Sequence, residues 1–590
     1  MNRNVLISVT VCLVALVVFL SLQVYYYDQF IDDAYISFRY ARNLARGVGL
    51  CFNPGEAVEG YSNFSWVVLL AVGIRMGGDV QLMAKFFGGL FGALCLAGTF
   101  LLVMAASQDK KRKMRMILPA SLSALLLSAN TYHVYWSSLG LETSLFAFFL
   151  VMSFGLQLYE LEHDKKIPLS AFFFTLVFLS RPEGIYYFFP LCAVRGWRLL
   201  RLKKLRRIDL LWFGWIALTF LGHLIWKIGI YGRFHPNTYY AKAPPAFLAE
   251  HTMARKYLAG WVMGANGTNI LILLFSLITG CYYLRHKVLT FLLPLFSVFL
   301  FTWLVDGDWM GNYRFLVPAM PFMYALAAIG TWRLLEDLKM RNTTICWITG
   351  ATLFLIIGCH IILQLQIRHD GRYLGEEFVS QKEKGWFLKL KSAVDHGFNP
   401  PLQKETEFFL SVTRKSDLIL FPDIGFLGYT SRCRIIDSRG LMDKAAADFL
   451  FARTKERGID KAHQNFLHHF FEDPPAIAAL VLRKKDGRGD HLIDETLKES
   501  ERFQSQYREI KRLPYYSNTE LVIYSDKNWR GSPEEEIIFE RFRTALNENP
   551  YIARFYMTFI KILSVKGKKA EARKYYDEFS SRFPALVSSK

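Results

Sequence analysis

The sequence predicts a polytopic α-helical membrane protein with a C-terminal soluble α/β domain that ends in a helical hairpin. Three observations lead there. Of 590 residues, 52% are hydrophobic and 16% aromatic, too apolar for an ordinary soluble multidomain chain. Up to Leu365 the apolar residues cluster in runs of roughly 15–25, the length a bilayer core demands. Beyond Arg368 no such run occurs, and strand-like stretches (LILFPDIGFLGYT, RIIDSRG, AALVLR, LVIYS) alternate with helical ones.

In chain order the candidate spans are 5–27, 80–106, 117–130, 143–159, 167–180, 184–196, 209–230, 268–284, 288–304, 315–332 and 343–365, about eleven in all. Loops 107–116, 160–166, 197–207, 285–287 and 333–342 hold most of the Lys and Arg of this half, and they alternate with loops of mixed sign. That is the positive-inside pattern with a cytoplasmic N-terminus, and an odd span number puts the C-terminal domain outside. The first run has only Arg3 before it and no small-residue cleavage site after it, which reads as a retained helix rather than a signal peptide. The expected division is 1–366 for the membrane domain, 367–530 for the soluble α/β domain and 531–590 for a helical segment. A net charge of +20 carried largely by short inside loops sets topology and meets anionic lipid, so nucleic-acid binding is excluded. Of eight cysteines, six fall in apolar runs and none has Cys/His zinc spacing. Only Cys51 and Cys433 face outside, as a candidate disulfide pair.

The most informative segment follows the first span. Asp32 and Asp33 are adjacent carboxylates at the point where a membrane helix emerges, a costly place unless they have partners or a task. From Asp33 to Arg46 the period is helical, with Ala34, Phe38, Ala41 and Ala45 on one face and Tyr35, Arg39, Arg42 and Arg46 on another. Such a helix is expected to lie in the membrane interface, its arginines on lipid phosphates, either those of a bound lipid or those of bulk headgroups. One aspartate can cap this helix; both cannot, so at least one is left over to act as a base or bind a metal.

Other outer loops supply complementary groups. Residues 231–242 offer Arg233, His235 and Lys242 among tyrosines, and 306–314 offer Asp306, Asp308, Trp309 and Arg314. DGD resembles a fragment of a calcium loop, which makes Asp306 and Asp308 weak metal candidates. Glu142 and the RPEG at 181–184 stand at further outer span ends. Trp66, Trp136 and Trp309 are either interface anchors or platforms for a sugar ring.

Several of these segments resemble a known family. DDAYISFRYARNLARGVGLCFNPGEAVEGYSNFSW (32–66), SRPEG (180–184), PNTYYAK (236–242), GDWMGNYRFLVPAMP (307–321) and DIGFLGYTSRCRIIDSRGLMD (423–443) are similar to the mycobacterial terminal β-(1→2)-arabinofuranosyltransferases, which are GT-C membrane glycosyltransferases. The resemblance implies many transmembrane helices, a polyprenyl-phosphate sugar donor and an acidic motif in the first outer loop, here Asp32–Asp33. Residues 549–584 depart from it and look like one tetratricopeptide-type hairpin, too few repeats for a solenoid.

With such a donor the leaving group is a phosphate, which needs cations rather than an acid: Arg39, Lys242, Arg314 and His235 are the candidates. The acceptor hydroxyl needs a base on the opposite face of the sugar, Asp32 or Asp33, and a single displacement inverts the anomeric centre. Tyr35, Glu142 and Trp309 are the candidates for holding acceptor or sugar. No cofactor is required by these residues; a divalent cation bridging phosphate and carboxylate is the one candidate. The expected acceptor is a cell-envelope glycan or a lipid-linked molecule, at the outer face of a bacterial inner membrane. Asp423 and Asp437, at strand ends, either border an acceptor groove or satisfy turns. A lipid-linked-sugar transporter and a non-catalytic GT-C-like scaffold are the rival readings.

Overall fold

The computed structural model describes residues 3–341 except 107–109, 164–166, 203–204, 243–249, 264–266 and 309, scattered positions from 344 to 362, and 402–586 except 516–517 and 584–585. The expected span 343–365 and the boundary at 366/367 lie outside the described residues or nearly so.

Among the described residues, the α-helices of the N-terminal half are α1 (Arg3–Tyr25), α2 (Asp32–Ala45), α3 (Phe64–Arg75), α4 (Val80–Ala105), α5 (Lys110–Ser128), α6 (Thr131–Ser138), α7 (Thr143–Glu162), α8 (Leu169–Ser180), α9 (Phe188–Leu202), α10 (Arg207–Tyr231), α11 (Asn237–Lys242), α12 (Thr252–Met263), α13 (Thr268–Leu284), α14 (Leu289–Leu304) and α15 (Met320–Arg341). Among the described residues, five helical stretches are long and apolar enough to cross a membrane, and the bent pair α12–α13 would make a sixth. Four more apolar helices are shorter, among them α3, which is not one of the spans expected from sequence. Large apolar side chains on α1 and α10 stand exposed, for example Val17 at 62% and Leu218 at 72%, which is the surface lipid would cover. At the end of the bundle where α7 stops and α10 begins, Arg195 is fully buried and bonds Asp209 (2.9 Å) and Glu160 (3.3 Å), so each of these charges has a partner.

The C-terminal half comprises α16 (Gln403–Val412), β1 (Leu418–Phe421), α17 (Ile424–Ser431), β2 (Arg434–Asp437), α18 (Lys444–Lys455), α19 (Ile459–Glu472), β3 (Ile477–Arg483), α20 (Leu492–Glu499), α21 (Glu501–Gln506), β4 (Tyr507–Pro514), β5 (Thr519–Asp526), α22 (Glu535–Glu548), α23 (Ala553–Val565) and α24 (Lys569–Arg582). The strands form one sheet in the order β2-β1-β3-β5-β4, parallel from β2 to β3 and antiparallel from β3 to β4. β1 and β3 are apolar at nearly every position because helices cover both faces, as parallel strands require. α22, α23 and α24 pack through stacked Phe542 and Phe559 and through Tyr556 against Phe579.

Asp437 accepts hydrogen bonds from the backbone N–H of Arg439 (2.8 Å) and Met442 (3.0 Å), which closes the turn after β2. Asp494 is different. It is fully buried, neither carboxyl oxygen has a hydrogen-bond partner of good geometry, and the nearest cation, Arg439, stands 3.7 Å away. Burial pushes its carboxyl up to about 7, against the pull of Arg439. A folded-state value above the unfolded one means the native protein holds a proton that the unfolded chain releases. The associated stability is therefore present at acid pH and is lost as pH rises toward 7. Melting curves should show the protein losing stability between about pH 4 and pH 7, by about 2–4 °C for each kcal/mol, and Asp494→Asn should flatten that fall.

Candidate active site

The site is built where the soluble domain meets α2. The first turn of α2 carries Asp32 and Asp33. Asp32 turns toward α17 and accepts the backbone N–H of Gly425 on Oδ2 (2.8 Å) and of Phe426 on Oδ1 (2.9 Å). It thus caps a helix almost four hundred residues away in sequence, satisfying two of the N–H groups that a helix start leaves open. Burial first, and then the charge of Asp423, push Asp32 up to about 8 against these two hydrogen bonds, which favour its ionised form. The approach is close: a Cβ on Gly425 would stand 1.9 Å from the backbone oxygen of Asp32, so no other residue fits there undisturbed.

Asp33 points the other way. Among the described residues it has no hydrogen-bond or ion-pair partner, and it is half-buried. Burial raises its pKa, with Asp308 and Asp423 adding to the rise and Arg314 and Lys242 opposing it. Those opposing groups lie within electrostatic reach of it. Arg314 donates to Asp308 (3.0 Å) and lies over the rings of Trp136 and Phe315. Lys242, at the end of α11, likewise has no hydrogen-bond or ion-pair partner among the described residues. Enclosure by protein lowers its pKa, as do Arg314 and Arg181, while Asp308 and Asp33 act in the opposite direction. Its side chain is nonetheless accessible to water. Arg181 is held behind this group by Glu142 (2.7 Å) and by Glu183.

The loop that brings Asp308 and Arg314 into place is strained. Asp306, Asn312 and Tyr313 all adopt positive φ (58°, 60° and 51°) although none is glycine. Left-handed non-glycine residues persist only where their surroundings hold them, and they concentrate at functional sites. Here Asp306 accepts the backbone N–H of Ala254 (2.8 Å), and Trp136 donates to the Asn312 carbonyl (2.8 Å).

Several sequence expectations are corrected. The helix Asp32–Ala45 does not present arginines to lipid, because α17 covers that face. Arg39 is buried and spends its guanidinium on the carbonyls of Phe52 (2.8 Å), Gly428 (2.7 Å) and Cys433 (2.8 Å) and on Asn53 (3.2 Å), so it joins the two halves and binds no phosphate. Tyr35 is fully buried among Phe38, Phe426 and Tyr429 and cannot reach a sugar. Glu142 is occupied by Arg181 and by Asn63 (2.7 Å), which makes it a support rather than a contact for acceptor. His235 stacks on Tyr239 (4.2 Å) and feels Lys227, away from the acidic pair, while its neighbour Arg233 docks on Asp448 (2.7 Å). Asp306 caps a backbone amide and Asp308 pairs with Arg314; among the described residues no three His, Cys, Asp or Glu side chains converge as metal ligands. Trp66 and Trp136 are buried rather than interfacial, Trp309 lies outside the described residues, and Cys51 and Cys433 are free thiols rather than a disulfide.

Arg181 is not itself a sequence candidate, and Asp423 is one only as a border of an acceptor groove or a turn residue. Arg181 was visible only as part of SRPEG, and its position behind Arg314 depends on how α8 ends. Asp423 was noted at a strand end; the structure sets it at the start of α17, bonded by the Tyr515 hydroxyl, with its charge felt at both Asp32 and Asp33.

No protein-family model matches the chain. Solved structures with a related arrangement include ArnT from Cupriavidus metallidurans bound to undecaprenyl phosphate (13% identity, 90% of this chain and 99% of that chain, TM-score 0.47). Another is the Archaeoglobus fulgidus oligosaccharyltransferase tethered to an acceptor peptide (10% identity, 80% of this chain and 68% of that chain, TM-score 0.46). At such identities and scores they add nothing to the reading of the site. In sequence, the chain is 29% identical over 227 residues to the terminal beta-(1->2)-arabinofuranosyltransferase of Mycobacterium tuberculosis. That match spans 36% of this chain and 34% of the relative, about a third of each. Over that part of its length the chain resembles the mycobacterial terminal arabinofuranosyltransferase family.

Proposed function

We propose that this protein is an inverting membrane glycosyltransferase. It moves a sugar from a polyprenyl-phosphate donor to an envelope glycan or lipid-linked acceptor, at the outer face of a bacterial inner membrane. The observation that carries this reading is that Asp33 stands close enough to feel the charges of Arg314 and Lys242 while, among the described residues, neither Asp33 nor Lys242 has a hydrogen-bond or ion-pair partner. Charged groups that lie near one another without a fixed partner are available to a substrate.

Lys242 and Arg314 would receive the donor phosphate. As the bond from the anomeric carbon to the phosphate oxygen breaks, the charge that grows on the phosphate is met by these cations, and no proton donor is needed. On the opposite face of the sugar, Asp33 would take the proton of the acceptor hydroxyl while its oxygen bonds the anomeric carbon. Burial suits Asp33 to this, since a carboxylate of raised pKa is a stronger base. The base must be ionised to act. Transfer should therefore fall as pH drops through a value above the ordinary carboxylate range, and a pH–rate profile of the purified protein would display that acid limb.

The chemical test is mass spectrometry of envelope glycans and polyprenyl-phosphate sugars from cells with and without the gene. Loss of one terminal sugar, with its polyprenyl-phosphate form accumulating, is the expected result; unchanged glycans and lipids would overturn the assignment. Orientation is tested separately. Reporter fusions after Lys204 and Lys339 should read cytoplasmic and a fusion after Asp423 periplasmic, and a cytoplasmic signal at Asp423 would overturn the outer placement.

A further inference from the structure

The C-terminal helical segment closes the far end of the two helices that make the site. α2 and α17 run side by side in the same direction. Their first turns meet at Asp32, Gly425 and Phe426, and farther along Arg39 and Arg42 donate to the carbonyls of Gly428 (2.7 Å) and Tyr429 (2.8 Å). Three arginines therefore crowd the last turns: Arg42 and Arg46 from α2, and Arg432 from the cap of α17. One carboxylate serves all three. Glu548, the last residue of α22, bonds Arg42 (2.9 Å), Arg46 (3.1 Å) and Arg432 (3.1 Å from Nε). Burial lowers the pKa of both Arg42 and Arg432 to about 10, as expected of cations packed together with one counter-charge. The next residue, Asn549, accepts from Gln81 (2.8 Å) at the start of α4, and Phe555 of α23 stacks on Phe426 (5.7 Å) in the first turn of α17. The segment thus touches α2, α17 and a spanning helix together.

We propose that Glu548 is a positioning residue: by clamping the last turns of α2 and α17 it fixes the alignment of their first turns, and with it the placement of Asp33 relative to Arg314 and Lys242. This rests on the reading of Asp33 as the base. Without Glu548, the like charges of the three guanidiniums would repel one another with only the partial negative charge of two helix C-termini to offset them.

The test uses the full-length protein in detergent or nanodiscs and two readouts. In Glu548→Gln, hydrogen exchange of a peptide covering 423–429 should rise by about tenfold or more, because the amides of Gly425 and Phe426 lose their hold on Asp32, while a peptide over 477–483 keeps its protection. Turnover of polyprenyl-phosphate sugar should fall in kcat by about tenfold or more with KM for the donor unchanged, since Lys242 and Arg314 stand on other elements. Arg46→Gln, which removes one half-exposed partner, should give a milder change in the same direction and serves if Glu548→Gln does not accumulate. Wild-type exchange at 423–429 in both variants would overturn the proposal whatever the activity. If exchange rises while Asp33→Asn keeps full turnover, the clamp stands and the assignment of the base falls.

Discussion

Replacing Asp33 by Asn should abolish sugar transfer while leaving the fold untouched. Removing a general base typically costs about a hundred- to ten-thousandfold in rate. The stability side of the expectation comes from what Asp33 does not do. It has no hydrogen bond to lose among the described residues, so the Asn variant should insert, purify and melt like the parent. Asp32→Asn should behave in the opposite way. Both oxygens of Asp32 accept backbone N–H groups, and an amide offers only one acceptor, so one of Gly425 and Phe426 would be left facing an NH₂. An unsatisfied buried N–H costs about 1–3 kcal/mol, which should appear as a lower melting temperature and looser docking of the soluble domain. Paired melting curves and transfer assays on the two variants separate a base from a cap. Full transfer by Asp33→Asn would dismiss Asp33 and direct attention to Asp308 or Asp423.

The second large effect is expected at Gly425. Ala is the better helix former, so on propensity alone Gly425→Ala should gain up to about 1 kcal/mol. Contact geometry outweighs this. The new methyl would meet the Asp32 backbone oxygen at 1.9 Å and its Oδ2 at 2.6 Å, and a backbone atom has no rotamer to escape into. α2 and α17 must part, which by the usual cost of overpacking is about 1–3 kcal/mol or more. Because the shift falls on the turn that carries Asp33, transfer should drop about a hundredfold even where the protein still folds. Gly214→Ala on α10, where nothing lies within 4 Å of the added carbon, is the matched control and should be neutral or slightly stabilising. Equal behaviour of the two variants would mean that the α2–α17 contact does not govern the site.

Much of the site was legible in the sequence because its elements are local. An apolar run that turns abruptly into DDAYISFRYARN announces a helix leaving the membrane, and the three-and-four spacing of its arginines announces that the next element is helical too. The observed α2 occupies Asp32–Ala45. The segments carrying Lys242, Asp308 and Arg314 stood out for a similar reason, being charged stretches between apolar ones. What failed were the inferences about the surroundings of the arginines and aromatics. An arginine stripe on an interfacial helix reads as a lipid contact until a partner covers it, and the partner of Arg39 lies at Gly428 and Cys433, near the far end of the chain. Tyr35 and Trp136 failed alike, since an aromatic residue bound for a core and one bound for a sugar have the same local sequence.

The sequence by itself therefore determined the membrane-spanning class, the change to an α/β domain after the last apolar run, and the presence of a spare carboxylate beside α1. These follow from hydrophobic length, periodicity and the cost of placing charge at a bilayer edge, all properties of neighbouring residues. Only the tertiary structure decided which of the two aspartates is spare. That choice depends on where two backbone N–H groups of α17 arrive, and a helix start seeks any acceptor within reach without recording in its own sequence which one it finds. The same holds for Glu548, whose role exists only because three arginines from two distant segments end beside it.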